Sequence, residues 1–198
     1  MRKMRIVGID LAGSEKRATG FCILDEKLNV KTKVLYTDEE IISETINANP
    51  DVICIDAPLS LPLGRKSLSQ RGAPHLRACD EQLLKMKIRF FPITLGPMRK
   101  LTKRGIKLRK FFEKKGLKVI EVYPGAAQDI LKIPRKQKGI KKLERGLRKL
   151  GIKGIRKGTT GDELDAITSA LVGKMYLEKN YLAIGNPKEG VIILPKVK

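Results

Sequence analysis

The chain has 198 residues, 41% of them apolar, which suits one packed core and excludes a disordered tail. Its net charge of +21 lies wholly in the middle: residues 61–160 carry 29 Lys and Arg against 6 Asp and Glu, while 1–60 carry 8 against 10 and 161–198 carry 5 against 5. No run reaches the roughly 18 apolar residues of a membrane span, and the basic start is interrupted at Asp10 without the small-residue cleavage site of a signal peptide.

Other compositional features narrow the chemistry. The three cysteines, Cys22, Cys54 and Cys79, are odd in number and lack Cys-x-x-Cys spacing, which argues against disulfide scaffolds and thiolate zinc sites. Cys22 and Cys54 lie in apolar runs and read as small buried hydrophobes, so a reducing, cytoplasmic compartment is expected. His75 is the single histidine, which excludes multi-histidine metal sites and leaves little for a Ser-His-Asp scheme. Charge of one sign at the density of 61–160 repels itself unless a polyanion is the usual partner, and nucleic acid is the expected one. The plainer reading is a lysine-rich thermophilic surface without a ligand, although such surfaces normally alternate the two signs.

Along the chain, 4–10 read as a buried strand closing on Asp10, 18–25 as a returning strand, and 30–36 as a third. In the third, Val30, Thr32, Val34 and Tyr36 alternate with lysines at 31 and 33, as a strand with one solvated face does. Ile41, Ile42, Thr45 and Ile46 predict a helix over 38–48, capped by Thr37 or Asp38. Val52 to Asp56 is a fourth strand, again ending in an aspartate. Residues 59–97 form an insert rich in Pro, Gly and Arg, with a short helix over 75–88. A basic helix over 99–115 puts Leu101, Leu108 and Phe112 on one face. A fifth strand over 118–123 is stopped by Pro124-Gly125. A second basic helix over 139–150 turns Ile140, Leu143, Leu147 and Leu150 inward. Thr160 and Glu163 make a capping box that opens a helix running to about 179, and Val191 to Leu194 suit a short terminal strand. Short turns imply an antiparallel meander and helical crossovers imply parallel strands beside it. The expected fold is α/β: one ribonuclease H-like domain over 1–198, its mixed five-stranded sheet in order 3-2-1-4-5 flanked by helices, with a basic helical insert after the fourth strand.

In that arrangement Asp10 and Asp56 emerge together at the carboxyl edge of parallel strands, the usual ligand site of open α/β sheets. Glu121, in the next strand, can reach the same edge. Asp162 and Asp165 share one face of a helix start. Acids from four elements repel one another strongly, which points to a divalent ion; Mg²⁺ or Mn²⁺ on carboxylates suits phosphodiester hydrolysis. Singly, each acid has a bland reading as a cap, a paired strand acid or a helix-dipole partner. Arg99, Lys100, Lys103 and Arg104 on the basic helix are the expected contacts to the nucleic-acid backbone.

The motifs Gly8-Ile9-Asp10-Leu11-Ala12-Gly13, Ile55-Asp56-Ala57-Pro58, Arg77-Ala78-Cys79-Asp80, Glu121-Val122-Tyr123-Pro124-Gly125 and Asp162-Glu163-Leu164-Asp165-Ala166 together resemble domain of unknown function 429. That family is described as predicted nucleases of the ribonuclease H fold. The run Asp165 to Ala170 is similar to the last acidic helix of Holliday-junction resolvases in that superfamily. The resemblance implies Asp10, Asp56, Glu121 and Asp162 or Asp165 as metal-binding positions. Arg77 and Asp80 fall on a family motif without an assigned role, as substrate contacts or as a buried pair holding the insert. Phe90-Phe91-Pro92 either stacks bases or packs the insert, and Gly158 to Gly161 either binds a phosphate or caps a helix. Two other functions stay open. One is a non-catalytic nucleic-acid-binding module. The other is a nucleotide-binding relative of actin-like ATPases, whose first phosphate hairpin Asp10 to Gly13 and Thr19-Gly20 resemble. A basic homodimer gripping a junction is conceivable.

Overall fold

The computed structural model describes residues 3–196; Met1 and Arg2 of the basic start, and the last two residues of the expected domain, lie outside them. Strands β1 (Arg5–Asp10), β2 (Thr19–Asp25) and β3 (Val30–Leu35) pair antiparallel across short turns. Helix α1 (Asp38–Ala48) is capped by Thr37, whose hydroxyl accepts from the Glu40 amide at 3.1 Å while the Glu40 carboxylate accepts from the Thr37 amide at 2.9 Å. It carries the chain to β4 (Val52–Asp56), parallel to β1. The insert contains α2 (Ala78–Lys85) and leads into α3 (Gly96–Lys114). Then come β5 (Val119–Val122), α4 (Pro124–Ile130), a 3₁₀ turn (Lys136–Lys138), α5 (Ile140–Lys149) and α6 (Gly161–Leu177). A hairpin of β6 (Tyr181–Asn186) and β7 (Gly190–Pro195) closes the order.

Among the described residues the sheet has seven strands in the order β3-β2-β1-β4-β5-β7-β6, so the expected 3-2-1-4-5 core is present and two strands extend it. β7 lies parallel to β5, and β6 pairs antiparallel at the edge. β6 escapes a sequence reading because only Ile184 in it is buried, leaving no alternation to detect. Helix α4 was also unforeseen: Pro124-Gly125 reads as a strand stop, yet Pro124 occupies the first helical turn, where its missing N–H breaks no bond. Ile140, expected inward, is 47% exposed, while Leu143 and Leu147 carry the buried face of α5.

Alternation along the strands divides the apolar residues between two faces. Val7, Ile9, Ile53 and Ile55 pack with Leu108 and Phe112 of α3. Ile6, Cys22, Leu24 and Cys54 pack with Leu143, Leu147, Leu164 and Ile167 of α5 and α6. α6 is buried along most of its length, and its backbone rests on glycines of the sheet. A Cβ on Gly8 would lie 2.1 Å from the Ala166 carbonyl oxygen, and one on Gly20 would lie 2.0 Å from the Asp162 carbonyl oxygen. The close approach gives Gly20 a packing role as a seat for α6. No flexible side chain is available there to yield. Gly20→Ala is therefore expected to lower stability by about 3 kcal/mol through overpacking. Urea unfolding followed by circular dichroism measures this, and an unchanged midpoint would show that α6 is not seated as described.

Candidate metal centre

Asp10 and Asp56 are register partners at the ends of the parallel strands β1 and β4, so both carboxyls leave the sheet on the α6 side at the same edge. The first turn of α6 is fixed by the predicted capping box: the Thr160 hydroxyl accepts from the Glu163 amide at 3.2 Å, and the Glu163 carboxylate accepts from the Thr160 amide at 2.8 Å. With that turn seated over Gly20, Asp162 and Asp165 overlook Asp10.

The position between them is taken by an ammonium group that the sequence did not single out. Lys136 Nζ donates to Asp10 Oδ2 at 3.0 Å and Asp162 Oδ1 at 2.7 Å, and lies 2.9 Å from Asp165 Oδ2. The other oxygen of Asp165 accepts from Gln128 Nε2 at 2.7 Å, and Gln128 also meets the Thr168 hydroxyl at 3.1 Å. Gln128 is buried on α4, so the unforeseen helix orients one of the acids. Asp56 accepts no hydrogen bond from any described residue. One lysine among many in the basic segment carries no sequence signal, and Gln128 became visible only with α4.

Electrostatically the cluster is underbalanced. Burial, reinforced by Asp165 and Asp162 and opposed by Lys136, pushes Asp10 up to about 7. Burial and the neighbouring Asp10 and Asp165 hold Asp56 well above the usual carboxylate range. Burial works against the charge of Lys136, but Asp10 and Asp165 outweigh it and keep the ammonium protonated far above neutrality. Among the described residues no three His, Cys, Asp or Glu side chains form a ready-made metal cage. The donor chemistry nevertheless fits a hard divalent ion: three carboxylate oxygens from two elements already converge on one compact cation, and the fourth carboxyl adjoins them unpaired.

Glu121 does not join this group. It pairs in register with Ile55 rather than Asp56, so its side chain leaves the opposite face of the sheet. There Arg77 bonds it twice, at 2.8 Å each, and the Leu59 amide donates to it at 2.8 Å. Arg77 spends all five of its N–H donors, on Glu121, Asp80 and Ser60. Arg77 and Asp80 are 2% and 3% exposed, so of the two readings of their motif the buried pair is the one found. Arg104, expected on the nucleic-acid backbone, is buried and donates to Asp38 and to the carbonyls of Ala12 and Tyr36, leaving it a structural tie. Arg99, Lys100 and Lys103 are exposed on α3 as expected. A cleft of about 250 Å³ opens over Asp10 and Asp162, walled by the turn after β1 and by Pro97, Met98 and Leu101 at the head of α3, with Arg17 and Lys136 in its lining.

No family model and no curated protein matches the sequence. Among solved structures, T. thermophilus RuvC in complex with Holliday junction substrate aligns over 88% of this chain and 96% of that one, at a TM-score of 0.52 and 12% identity. A further Thermus thermophilus RuvC structure aligns over 89% and 97%, at a TM-score of 0.48 and 12% identity. The chain thus has a RuvC-like, ribonuclease H-like fold, with β7 and β6 added beyond the common core.

Two outcomes are expected of the cluster. An Asp whose folded value is raised from 3.8 to about 7 favours the folded state only while protonated: the unfolded chain releases its proton first, so stability falls as pH rises through that window. Asp10→Asn, which mimics the protonated acid, should therefore melt above the parent near neutral pH, with the gap closing as pH drops toward 3.8. Equal melting temperatures throughout would mean that Asp10 is not destabilised by its surroundings. Removing the resident ammonium by Lys136→Gln should raise Mn²⁺ affinity roughly tenfold, about 1.4 kcal/mol of competing ion pairing. Calorimetric titration gives the answer, and unchanged affinity would separate the positions of metal and ammonium.

Proposed function

We propose that the protein is a metal-dependent nuclease that hydrolyses phosphodiester bonds in nucleic acid, with Asp10, Asp56, Asp162 and Asp165 holding Mg²⁺ or Mn²⁺. The observation that carries this reading is the convergence of acids from β1 and α6 on a single cation within 3.0 Å, beside the strand-end acid of β4. When bound, such an ion supplies an activated water and neutralises charge developing on the phosphodiester. The chain's own contribution is positional. Gln128 orients Asp165, the capping box fixes Asp162, and the sheet register aligns Asp10 with Asp56. Lys136, on a flexible stem, balances the acids in the absence of a divalent ion and becomes a donor to substrate phosphate once released. Arg99, Lys100 and Lys103, at the head of α3 beside the cleft, hold the backbone of the nucleic acid.

Membership of domain of unknown function 429, suggested by the motifs and matched by no family model, belongs to the same reading. RuvC, a neighbour in fold, is bound to a Holliday junction in one of its structures, which makes branched DNA the first substrate to test. A basic homodimer on a junction and a cytoplasmic setting fit this reading as well.

Asp10→Asn is expected to abolish Mg²⁺-dependent cleavage of junction or linear oligonucleotides while leaving binding within a few-fold of the parent. Cleavage is followed on denaturing gels, and binding by fluorescence anisotropy across a salt series. Binding should weaken steeply with salt, as phosphate contacts through Lys and Arg require. Undiminished cleavage by the variant would sink the assignment of the site. Binding without cleavage by the parent protein, with every nucleic-acid form and either metal, would leave a non-catalytic binding module.

A further inference from the structure

We propose that a second, apolar pocket beside Asp56 receives one unstacked nucleobase, with Phe91 packing against its ring face; this rests on the nucleic-acid reading above. The pocket holds about 200 Å³, room for a single planar ring system, and is lined by Asp56, Leu83, Phe90, Phe91 and Tyr123 among others. Met98 and Leu101 line both this pocket and the cleft over Asp10 and Asp162, so the two are separated by one wall of side chains. A strand whose phosphate lies at the acids would therefore present an adjoining base to the pocket.

Three features select a base over other apolar occupants. Phe91 is 68% exposed although it faces an apolar recess, the form of a stacking platform awaiting a partner. The neighbourhood is basic: Arg89 precedes the two phenylalanines, Arg99 and Lys100 follow on α3, and the Arg135 guanidinium lies 5.6 Å from the centre of the Tyr123 ring. A second copy of this chain, itself at +21, is repelled by that surface unless a polyanion lies between them, whereas a nucleotide brings a phosphate to each base. The polar floor also restricts what can be read. Arg77 has no N–H left to offer, because its five donors are spent on Glu121, Asp80 and Ser60. Asp80, Glu121 and Tyr123 are likewise tied up, by Arg77, Arg89 and Arg135, and Asp56 belongs to the proposed metal site, so contact with the ring face outweighs contact with a base edge and the pocket takes any base. Because a base must leave its stack to enter, the preferred substrate has an unpaired or easily unpaired nucleotide at the reacting position.

The test uses the full chain without divalent metal and a set of forked oligonucleotides, each with a single 2-aminopurine at a different position. The protein contains no tryptophan, so the fluorescent base is seen against a low background. Unstacking should brighten the probe at one position near the fork with the parent protein and at none with Phe91→Ala, a change at an exposed site that leaves the core intact. Phe91→Ala should also bind the intact oligonucleotide about tenfold more weakly, the worth of one base–aromatic stack, and bind a matched abasic oligonucleotide as the parent does. Replacing the base at the responsive position by any of the other three should change affinity less than Phe91→Ala does. A missing response, a response that survives Phe91→Ala, or strong preference for one base would each overturn the proposal. Brightening without Mg²⁺-dependent cleavage would support the pocket and overturn the nuclease; cleavage without brightening would do the reverse. Failure to bind any oligonucleotide would overturn both.

Discussion

The approach of α6 to the sheet, backbone against backbone, is the constraint on which the site depends. Gly8 and Gly20 remove the side chains that would otherwise hold a helix at ordinary distance from β1 and β2. The start of α6 therefore descends to the strand ends, and Asp162 in its first turn and Asp165 in the next reach the same small volume as Asp10. The burial that this creates is also what perturbs the acids. A helix standing further off would leave them in water, where the same carboxylates would ionise independently and need no counterion.

From that closeness follows the role of Lys136. Burial pushes Asp10 and Asp56 upward, and one ammonium answers the charge gathered from Asp10, Asp162 and Asp165. Lys136 holds that balance from the end of a flexible stem. Arg104 sits in a different kind of balance: buried and tied to two carbonyls and Asp38, it is committed to structure. Basic residues in one segment of sequence thus divide into ties, a counterion and free surface, a distinction that charge alone does not reveal.

Much of the core and most of the acid cluster were legible in the sequence for one reason, that period and termination are local. Apolar runs closing on Asp10 and Asp56 announce strand ends, and the Thr160–Glu163 spacing announces a helix start. Relative placement is not local. That Glu121 faces away from Asp56 depends on a one-residue offset in strand register, which the composition of β5 does not encode. The edge strand β6, with a single buried side chain, offers no pattern, and α4 was concealed by a proline that opens a helix as readily as it ends a strand. Lys136 is invisible for a further reason: its significance lies wholly in its three partners, which are 26 to 126 residues away along the chain.

The saturated guanidinium of Arg77 bears on how such a chain can change. Its contacts bind the start of α2 to β5, while Glu189 in the β6–β7 turn accepts from the Ala78 and Leu63 amides at 2.6 and 2.7 Å. The insert is therefore mortised into the sheet at two places, unlike a loop hung from its edge. Its loss by deletion would strand a carboxylate in the interior at position 121, and so would its replacement by an unrelated segment. A shortened version of this region would therefore favour an uncharged residue at 121, which couples the length of the insert to the chemistry of a strand it does not belong to.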